Sequence, residues 1–160
     1  MDIKLNWQGR MIFEGAGDSG FVQRLDSDES VGGDNSGGRP MEFLAIGLAG
    51  CTAMDVISIL SKKKQAVTDF QIKLHADRAE DHPKVFTQAV IEYLFYGSNL
   101  DEAAVLRAIE LSAEKYCPAQ AMLSRVFPIR LVYKIFDGES KTLLKEGEYL
   151  QKTIQTETGA

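Results

Sequence analysis

The chain has 160 residues, of which 44% are hydrophobic and 26% are charged. These proportions exclude a fibrous or disordered chain and predict one globular domain with a modest core. The formal net charge of -5 opposes binding to phosphate backbones and anionic lipids, so we expect neither a nucleic acid nor a membrane as a partner. The N-terminal residues lack a basic segment followed by an apolar run, which favours a cytoplasmic protein over a secreted one.

The N-terminal part of the chain predicts a small antiparallel meander followed by a loop. Apolar and polar residues alternate over residues 3–7, 11–13 and 21–25, with glycine-containing turns between them, a pattern typical of short strands. Residues 26–39 are rich in Gly, Ser and Asp and nearly devoid of apolar side chains. We expect this segment to be a mobile loop, either a flexible connector or a functional one.

A long apolar helix is predicted to begin at Pro40 and to end near residue 63. It is apolar on nearly all sides, so we expect most of its surface to be buried. The polar residues Thr52, Asp55 and Ser58 interrupt it, which favours a core helix over a membrane span. Two glycines in its interior each cost about 1 kcal/mol relative to alanine, and we expect the close approach of another backbone, such as a second helix, to offset that cost.

Three further strands are predicted in the second half of the chain. Alternation over residues 70–76 and 89–95 predicts a hairpin, and alternation over residues 129–135 predicts a last strand. Residues 138–160 form a C-terminal extension, in which scattered apolar residues over 143–150 suggest a helix or an arm. Strands grouped into hairpins and separated by single helices indicate an α+β fold.

A second helix is predicted between the hairpin and the last strand. Ser98 or Asn99 is its expected N-cap, and a stripe of apolar residues at helical spacing, ending at Tyr116, is expected to be buried. Pro118 disfavours a helical conformation at the residue before it. The chain is therefore expected to bend there and to continue as a short helix over residues 119–124.

The two cysteines are the residues with the clearest capacity for chemistry. Cys51 lies among small apolar residues of the first helix, where inert packing is the alternative to reactivity. Cys117 lies at the expected bend, where we expect its thiol to be reachable. No Cys-x-x-Cys pattern or zinc-type spacing connects the cysteines to each other or to His75 and His82. The sequence therefore predicts neither a metal site nor a cofactor.

A reactive cysteine needs a neighbouring cation, because the thiolate is the nucleophile and a free thiol has a pKa near 8.5. Arg39 is the candidate nearest to Cys51 in sequence, and Glu42 is the carboxylate that we expect to hold it. Spacing alone equally fits a solvated Arg39 and a Glu42 that only faces the helix dipole. The other candidate cations, less direct by position, are Arg10, Arg24 and Arg125.

Two segments resemble one known family. Residues 39–56, RPMEFLAIGLAGCTAMDV, are similar to the first-cysteine helix of the OsmC/Ohr family, and residues 113–118, AEKYCP, are similar to its second-cysteine motif. The order of strands and helices also resembles the family over residues 1–136. Each motif alone is weak, whereas both together in the right order are fairly specific.

The resemblance implies both an architecture and an activity. The fold would be an intertwined homodimer in which antiparallel sheets wrap around central helices, with active sites at the subunit interface. The activity would be reduction of organic hydroperoxides, with Cys51 peroxidatic, Cys117 resolving and a dithiol as reductant. Arg39 and Glu42 would complete the site, and an apolar lining would favour an organic substrate; we expect this lining to come from Phe43, Leu44, Leu48 and Met54.

One residue departs from the family pattern. Met41 stands where many members have a glutamate directly after the proline, and Glu42 follows it. A shift of one residue turns a helical side chain by about 100°. This departure keeps two alternatives to a peroxidase open: a stress-associated binding protein and a redox-sensing dimer without efficient turnover.

Overall fold

The computed structural model describes residues 1–150 of the chain. The chain divides into two compact units, of which the first comprises residues 1–46 and the second begins at residue 47. Helix α1, Pro40–Lys62, begins in the first unit and ends in the second. The part of the predicted C-terminal extension beyond residue 150 lies outside the described residues.

The first unit contains the predicted meander. Strands β1, Lys4–Gly9, β2, Ile12–Ala16, and β3, Gln23–Leu25, pair antiparallel in the order β1-β2-β3. Between β1 and β2 the chain turns at Gly9, whose φ of 101° lies in the region that glycine adopts most readily. The alternation of apolar residues and the glycine-containing turns therefore predicted this sheet correctly.

The segment predicted to be a mobile loop, residues 26–39, has a defined backbone built around Asp26. This carboxylate is 2% exposed. It accepts hydrogen bonds from the backbone N–H groups of Ser27, Asp34 and Ser36 and from the Ser36 hydroxyl, at 2.7–3.1 Å. These hydrogen bonds hold the pKa of Asp26 well below its usual range, and the bond from the Ser36 backbone N–H has the largest effect. The mobility of the segment stays a prediction.

Helix α1 has the predicted bounds but not the predicted burial. Its buried residues form a single stripe with a spacing of four, Leu48, Thr52, Val56 and Leu60. Other apolar side chains of the helix are open to solvent, with Met54 exposed by 74%. Burial on most sides is therefore wrong for the described part of a single chain, because the buried residues lie on one face of the helix.

Helix α1 is also long and apolar enough to cross a membrane, and 22% of its most apolar window is buried. Core helices of proteins that fold in water share this length and composition. The property therefore does not by itself indicate a membrane protein.

The second unit is built on a mixed four-stranded sheet in the order β4-β5-β6-β7. Its strands are β4, Val67–Arg78, β5, Phe86–Gly97, β6, Ile129–Asp137, and β7, Leu143–Tyr149. The β4/β5 hairpin is confirmed. The expectation of purely antiparallel sheets is wrong at β5/β6, which pair in parallel, because the helices between these strands return the chain to the same end of the sheet.

Strand β7 corrects the prediction of a helix or arm over residues 143–150. It pairs antiparallel with β6, and Arg130 forms an ion pair with Glu148 at 2.7 Å across the two strands. Gly147 faces the Tyr133 ring, where an added Cβ would lie 2.6 Å from the phenolic oxygen. Pairing with the preceding strand β6, and not its own weak apolar pattern, therefore decides the conformation of this segment.

The connection between β5 and β6 consists of α2, Glu102–Leu111, a wide π-helical turn at Ser112–Tyr116, and α3, Pro118–Leu123. The N-cap of α2 is Asp101 rather than the predicted Ser98 or Asn99, and its carboxylate accepts the Ala103 N–H at 3.0 Å. The core of this unit lies between the sheet and its helices; its fully buried members include Val56, Ile91, Tyr93, Phe95, Val105, Ile109 and Leu131.

Candidate functional site

Helix α1 carries two groups of the site on one side. Cys51 and Asp55 are four residues apart, which places their side chains one above the other on a helix. Both are half-buried, whereas Thr52 next to Cys51 is completely buried. The helix therefore presents a thiol and a carboxylate together at the edge of the core.

The π-helical turn positions the second thiol. The Cys117 N–H donates to the Ser112 carbonyl oxygen at 2.9 Å, five residues back, and Pro118 then begins α3. The Cys117 sulfur accepts the Gln120 N–H at 3.4 Å and so caps α3. The bend predicted from Pro118 is confirmed. The expectation that this thiol is reachable is wrong, because Cys117 is 2% exposed.

The two thiols lie in direct contact, as the peroxidatic and resolving roles implied by the family resemblance require. The Sγ atoms of Cys51 and Cys117 are 2.8 Å apart, and both cysteines are free. Burial, and then the hydrogen bond that Cys117 donates to Cys51, raise the pKa of Cys117 to about 12. Near neutral pH, Cys117 is therefore a protonated thiol directed at Cys51.

A chain of buried polar groups lies beside the thiols. The Ser112 hydroxyl donates to Asp55 Oδ2 at 3.1 Å, and its oxygen lies 2.9 Å from Thr52 Oγ1. Thr52 Oγ1 lies 2.7 Å from the Tyr93 hydroxyl, which also accepts from Gln120 Nε2 at 3.3 Å. Burial raises the pKa of Tyr93 to about 12. These groups fix the carboxylate of Asp55 relative to the thiols.

Sequence reasoning did not identify these polar groups as part of the site. Thr52 and Asp55 were visible only as interruptions of an apolar helix, and Ser112 lies within the stripe of the second helix that helical spacing predicts to be buried. The hydroxyl of Thr52 meets partners 41 and 60 residues away, which no local pattern reports. A buried polar residue in an apolar helix is nevertheless a signal that a polar partner exists elsewhere in the chain.

Arg39 and Glu42 both lie in the first unit. The Glu42 carboxylate accepts the backbone N–H of Arg39 at 2.9 Å, in the manner of a helix cap. The Arg39 guanidinium donates to the Gly37 carbonyl at 2.9 Å and to the Asn35 side chain, and it lies 3.9 Å from the Asp28 carboxylate. The predicted roles of Arg39 and Glu42 beside a thiolate stay predictions.

The expected apolar lining is divided among different environments. Leu48 is buried in the core of the second unit, whereas Leu44 and Met54 are exposed. Phe43 lines an open cleft of about 530 Å³ in the first unit together with Leu5. In the second unit, Asp55 lines a separate cleft of about 350 Å³; its other lining residues are Ser58, Ile59, Lys62, Lys63, Leu111 and Tyr116.

Comparison with known proteins identifies the family to which the chain is similar. Residues 33–132 match the family described as OsmC-like protein. Protein YhfA of Escherichia coli K12 is 36% identical over 135 residues, which cover 84% of this chain and 98% of YhfA.

Solved structures share the fold over most of the chain. A hypothetical protein from Aquifex aeolicus VF5 matches with a TM-score of 0.74 and 29% identity, covering 85% of this chain and 96% of that one. An organic hydroperoxide resistance protein OsmC from Legionella pneumophila matches with a TM-score of 0.62 and 14% identity, covering 84% and 94%. The α+β fold and the predicted family resemblance are thereby confirmed, and the chain belongs to the OsmC-like protein family.

Proposed function

We propose that this protein is a thiol-dependent peroxidase that reduces organic hydroperoxides, with Cys51 as the peroxidatic and Cys117 as the resolving cysteine. The observation that carries this assignment is the 2.8 Å contact between a half-buried thiol and a buried one. Membership in the family supports redox chemistry in general. The name of the Legionella pneumophila relative, an organic hydroperoxide resistance protein, supports the class of substrate.

In the first step, the Cys51 thiolate attacks the terminal oxygen of R–O–O–H. The O–O bond breaks, Cys51 becomes a sulfenic acid, and the alkoxide leaves and takes up a proton to become an alcohol. Sulfur loses two electrons and the peroxide gains them. Cys51 is the assigned attacking residue because it is the more exposed thiol of the pair.

In the second step, Cys117 loses its proton and attacks the Cys51 sulfur, so that an S–S bond forms and water leaves. The raised pKa of Cys117 keeps this thiol protonated, which makes it a poor nucleophile toward free peroxide. The contact between the two sulfurs favours reaction of Cys117 with Cys51. An external dithiol then attacks the disulfide, becomes oxidised, and returns both cysteines to thiols.

The thiolate of Cys51 requires a cation, and we assign this role to Arg39. Glu42 accepts the Arg39 backbone N–H, which supports a role for the carboxylate in ordering that residue. We assign the reaction to the cytoplasm, where reductants keep thiols free and can reduce a disulfide back to thiols.

The active form is proposed to be a homodimer that pairs the exposed side of helix α1 with the same helix of a second copy. Ile46 and Met54 are exposed by 63% and 74%. A Cβ added at Gly47 or Gly50 would meet no atom within 4 Å among the described residues outside the helix itself. Apolar side chains and open glycines on one helix favour a close helix–helix contact.

Purified reduced protein with dihydrolipoamide and cumene hydroperoxide tests this function. We expect steady consumption of hydroperoxide by the wild type and none by Cys51→Ser. Cys117→Ser should give one oxidation event per chain, seen as sulfenic acid trapped with dimedone, followed by little turnover. Ser124→Ala, at the end of α3, is the control for an unrelated hydroxyl change. Equal turnover by the wild type and Cys51→Ser would exclude Cys51 as the peroxidatic residue.

A redox-sensing or stress-associated binding role is the second candidate, and it is favoured by Met41, which stands where many members of the family have a glutamate. A Cys51 that reacts with peroxide no faster than free cysteine, yet forms the Cys51–Cys117 disulfide, would support sensing instead of turnover.

A further inference from the structure

Asp55 has no part in the proposed peroxidase reaction, although it lies beside both thiols. The ligand atoms of Cys51, Cys117 and Asp55 all lie within 4.8 Å of one another. Thiolates and carboxylates are both ligands for divalent cations, so one ion placed among these three atoms would contact all of them.

The donor set selects the class of cation. Two thiolates and one carboxylate suit a borderline-soft divalent ion of the zinc class and not Mg²⁺ or Ca²⁺, which prefer oxygen ligands. A tetrahedral ion with Zn–S bonds of about 2.3 Å holds two sulfurs about 3.8 Å apart. The sulfurs here are 2.8 Å apart, so binding the ion requires them to move about 1 Å further apart, which side-chain rotation can supply.

The groups around the three ligands orient them. The Ser112 hydroxyl donates to Asp55 Oδ2 at 3.1 Å, and the Gln120 N–H donates to the Cys117 sulfur at 3.4 Å. Outer hydrogen bonds of this kind hold metal ligands in place in known sites. The sequence predicted no metal site because these three residues follow no metal-binding spacing, and only the fold brings Cys117 to the other two.

One of the three ligands borders an open cleft. Asp55 lines the open cleft of about 350 Å³ on the second unit. Three protein ligands leave the fourth position of a tetrahedral ion for water or an added ligand, as in zinc sites that are not closed by protein.

We propose that the reduced protein binds one divalent cation of the zinc class through Cys51, Cys117 and Asp55. Binding displaces the thiol protons to solvent and involves no change of oxidation state. Both sulfurs are then metal ligands, so the bound ion protects them from forming a disulfide. This inference stands independently of the peroxidase assignment, because it requires only the reduced thiols and the carboxylate.

The test is an anaerobic titration of reduced, tag-free, chelator-treated protein. Zn²⁺ is followed by calorimetry and Co²⁺ by absorption. We expect one ion per chain and, with Co²⁺, the thiolate charge-transfer band and visible bands of a four-coordinate site. Asp55→Asn should weaken Zn²⁺ binding about tenfold or more, and loss of either thiol should remove most of the charge-transfer band. Asp81→Asn, an exposed change in the β4–β5 turn, should leave binding unchanged.

Two results would overturn the site: no saturable binding by folded wild-type protein, or equal Zn²⁺ affinity for Asp55→Asn and Asp81→Asn. A circular dichroism spectrum for each variant verifies the fold. Hydroperoxide consumption is measured separately on metal-free protein. Zinc binding without any such consumption would support the metal site and contradict the peroxidase, so the two assignments fail independently.

Discussion

Thr52 is the residue at which the buried polar chain meets helix α1. Its hydroxyl contacts the Tyr93 and Ser112 hydroxyls at 2.7 and 2.9 Å, and its side chain is completely buried. A hydroxyl offers one donor and two acceptor positions, so this single group can serve both partners. Among the described residues, the buried polar side-chain atom left without a partner is Gln120 Oε1, at the far end of the same chain of groups.

Thr52→Val should destabilise the protein although the new side chain has nearly the same shape. The change removes the hydroxyl and leaves the Tyr93 and Ser112 hydroxyls each short of a buried partner, which costs about 1–3 kcal/mol. Urea unfolding followed by circular dichroism measures the loss. Thr87→Val, at an exposed position of β5, is the control and should remain within about 0.5 kcal/mol of the wild type. Equal effects of both changes would contradict the structural role of the Thr52 hydroxyl.

At the scale of elements, the sequence predicted those helices, strands and bends that depend on residues close together in the chain. Pro40 and the apolar run predicted α1, alternation predicted the β4/β5 hairpin, and Pro118 predicted the bend at Cys117. Two of the misses have non-local causes: the parallel pairing of β5 with β6 and the meeting of Ser112 with Thr52 depend on contacts between distant segments. The strand at Leu143–Tyr149 pairs with the neighbouring strand β6, but its own residues lack the regular alternation that would have predicted it.

The π-helical turn explains why one residue of the predicted stripe is misplaced. The stripe assumed an uninterrupted α-helical period through Tyr116. The wider turn at Ser112–Tyr116 changes that period, and Tyr116 is 48% exposed as a result. The same turn places Cys117 against the Cys51 sulfur. The departure from α-helical spacing therefore also brings the two thiols together.

The segment 26–39 should depend on the ionised form of Asp26. Because hydrogen bonds lower the pKa of this carboxyl, the stability it adds is present above its unfolded pKa of about 3.9 and is lost as pH falls below that value. In an NMR titration, the chemical shift of the Ser36 amide should therefore keep its neutral-pH value down to about pH 3.9 and change only in stronger acid. A midpoint near the unfolded value would contradict the anchoring role.

Removing the charge tests the same element at neutral pH. Asp26→Asn replaces an acceptor-only carboxylate with an amide that places donors against N–H groups. Amide hydrogen exchange over residues 26–39 should become faster. Asp2→Asn, an exposed change in the same unit, should leave that exchange unaltered. Fast exchange already in the wild type would support the mobile loop predicted from the sequence.

At the scale of the whole molecule, one face of helix α1 is buried in the core and another is exposed to solvent in the single chain. The buried stripe Leu48, Thr52, Val56 and Leu60 belongs to the core, whereas Ile46 and Met54 are exposed. The sequence analysis inferred a neighbouring backbone from the two interior glycines, and within one chain that neighbour is missing from the described residues around Gly47 and Gly50. In the proposed homodimer, a second copy of the chain would cover both the apolar side chains and the glycines, which would account for the overestimate of burial from the sequence.

Gly50→Leu tests the proposed dimer contact without disturbing the fold of the single chain. Within the chain, a side chain at this position meets no described atom outside the helix within 4 Å, and leucine favours a helix over glycine by roughly 0.8 kcal/mol, so the monomer should remain folded. Close approach of a second helix would be blocked. In sedimentation velocity the wild type should be a dimer and Gly50→Leu mainly a monomer at micromolar concentration. Ser61→Leu, an exposed change near the end of α1, should remain dimeric; a monomeric wild type, or a dimeric Gly50→Leu, would contradict pairing through this face of the helix.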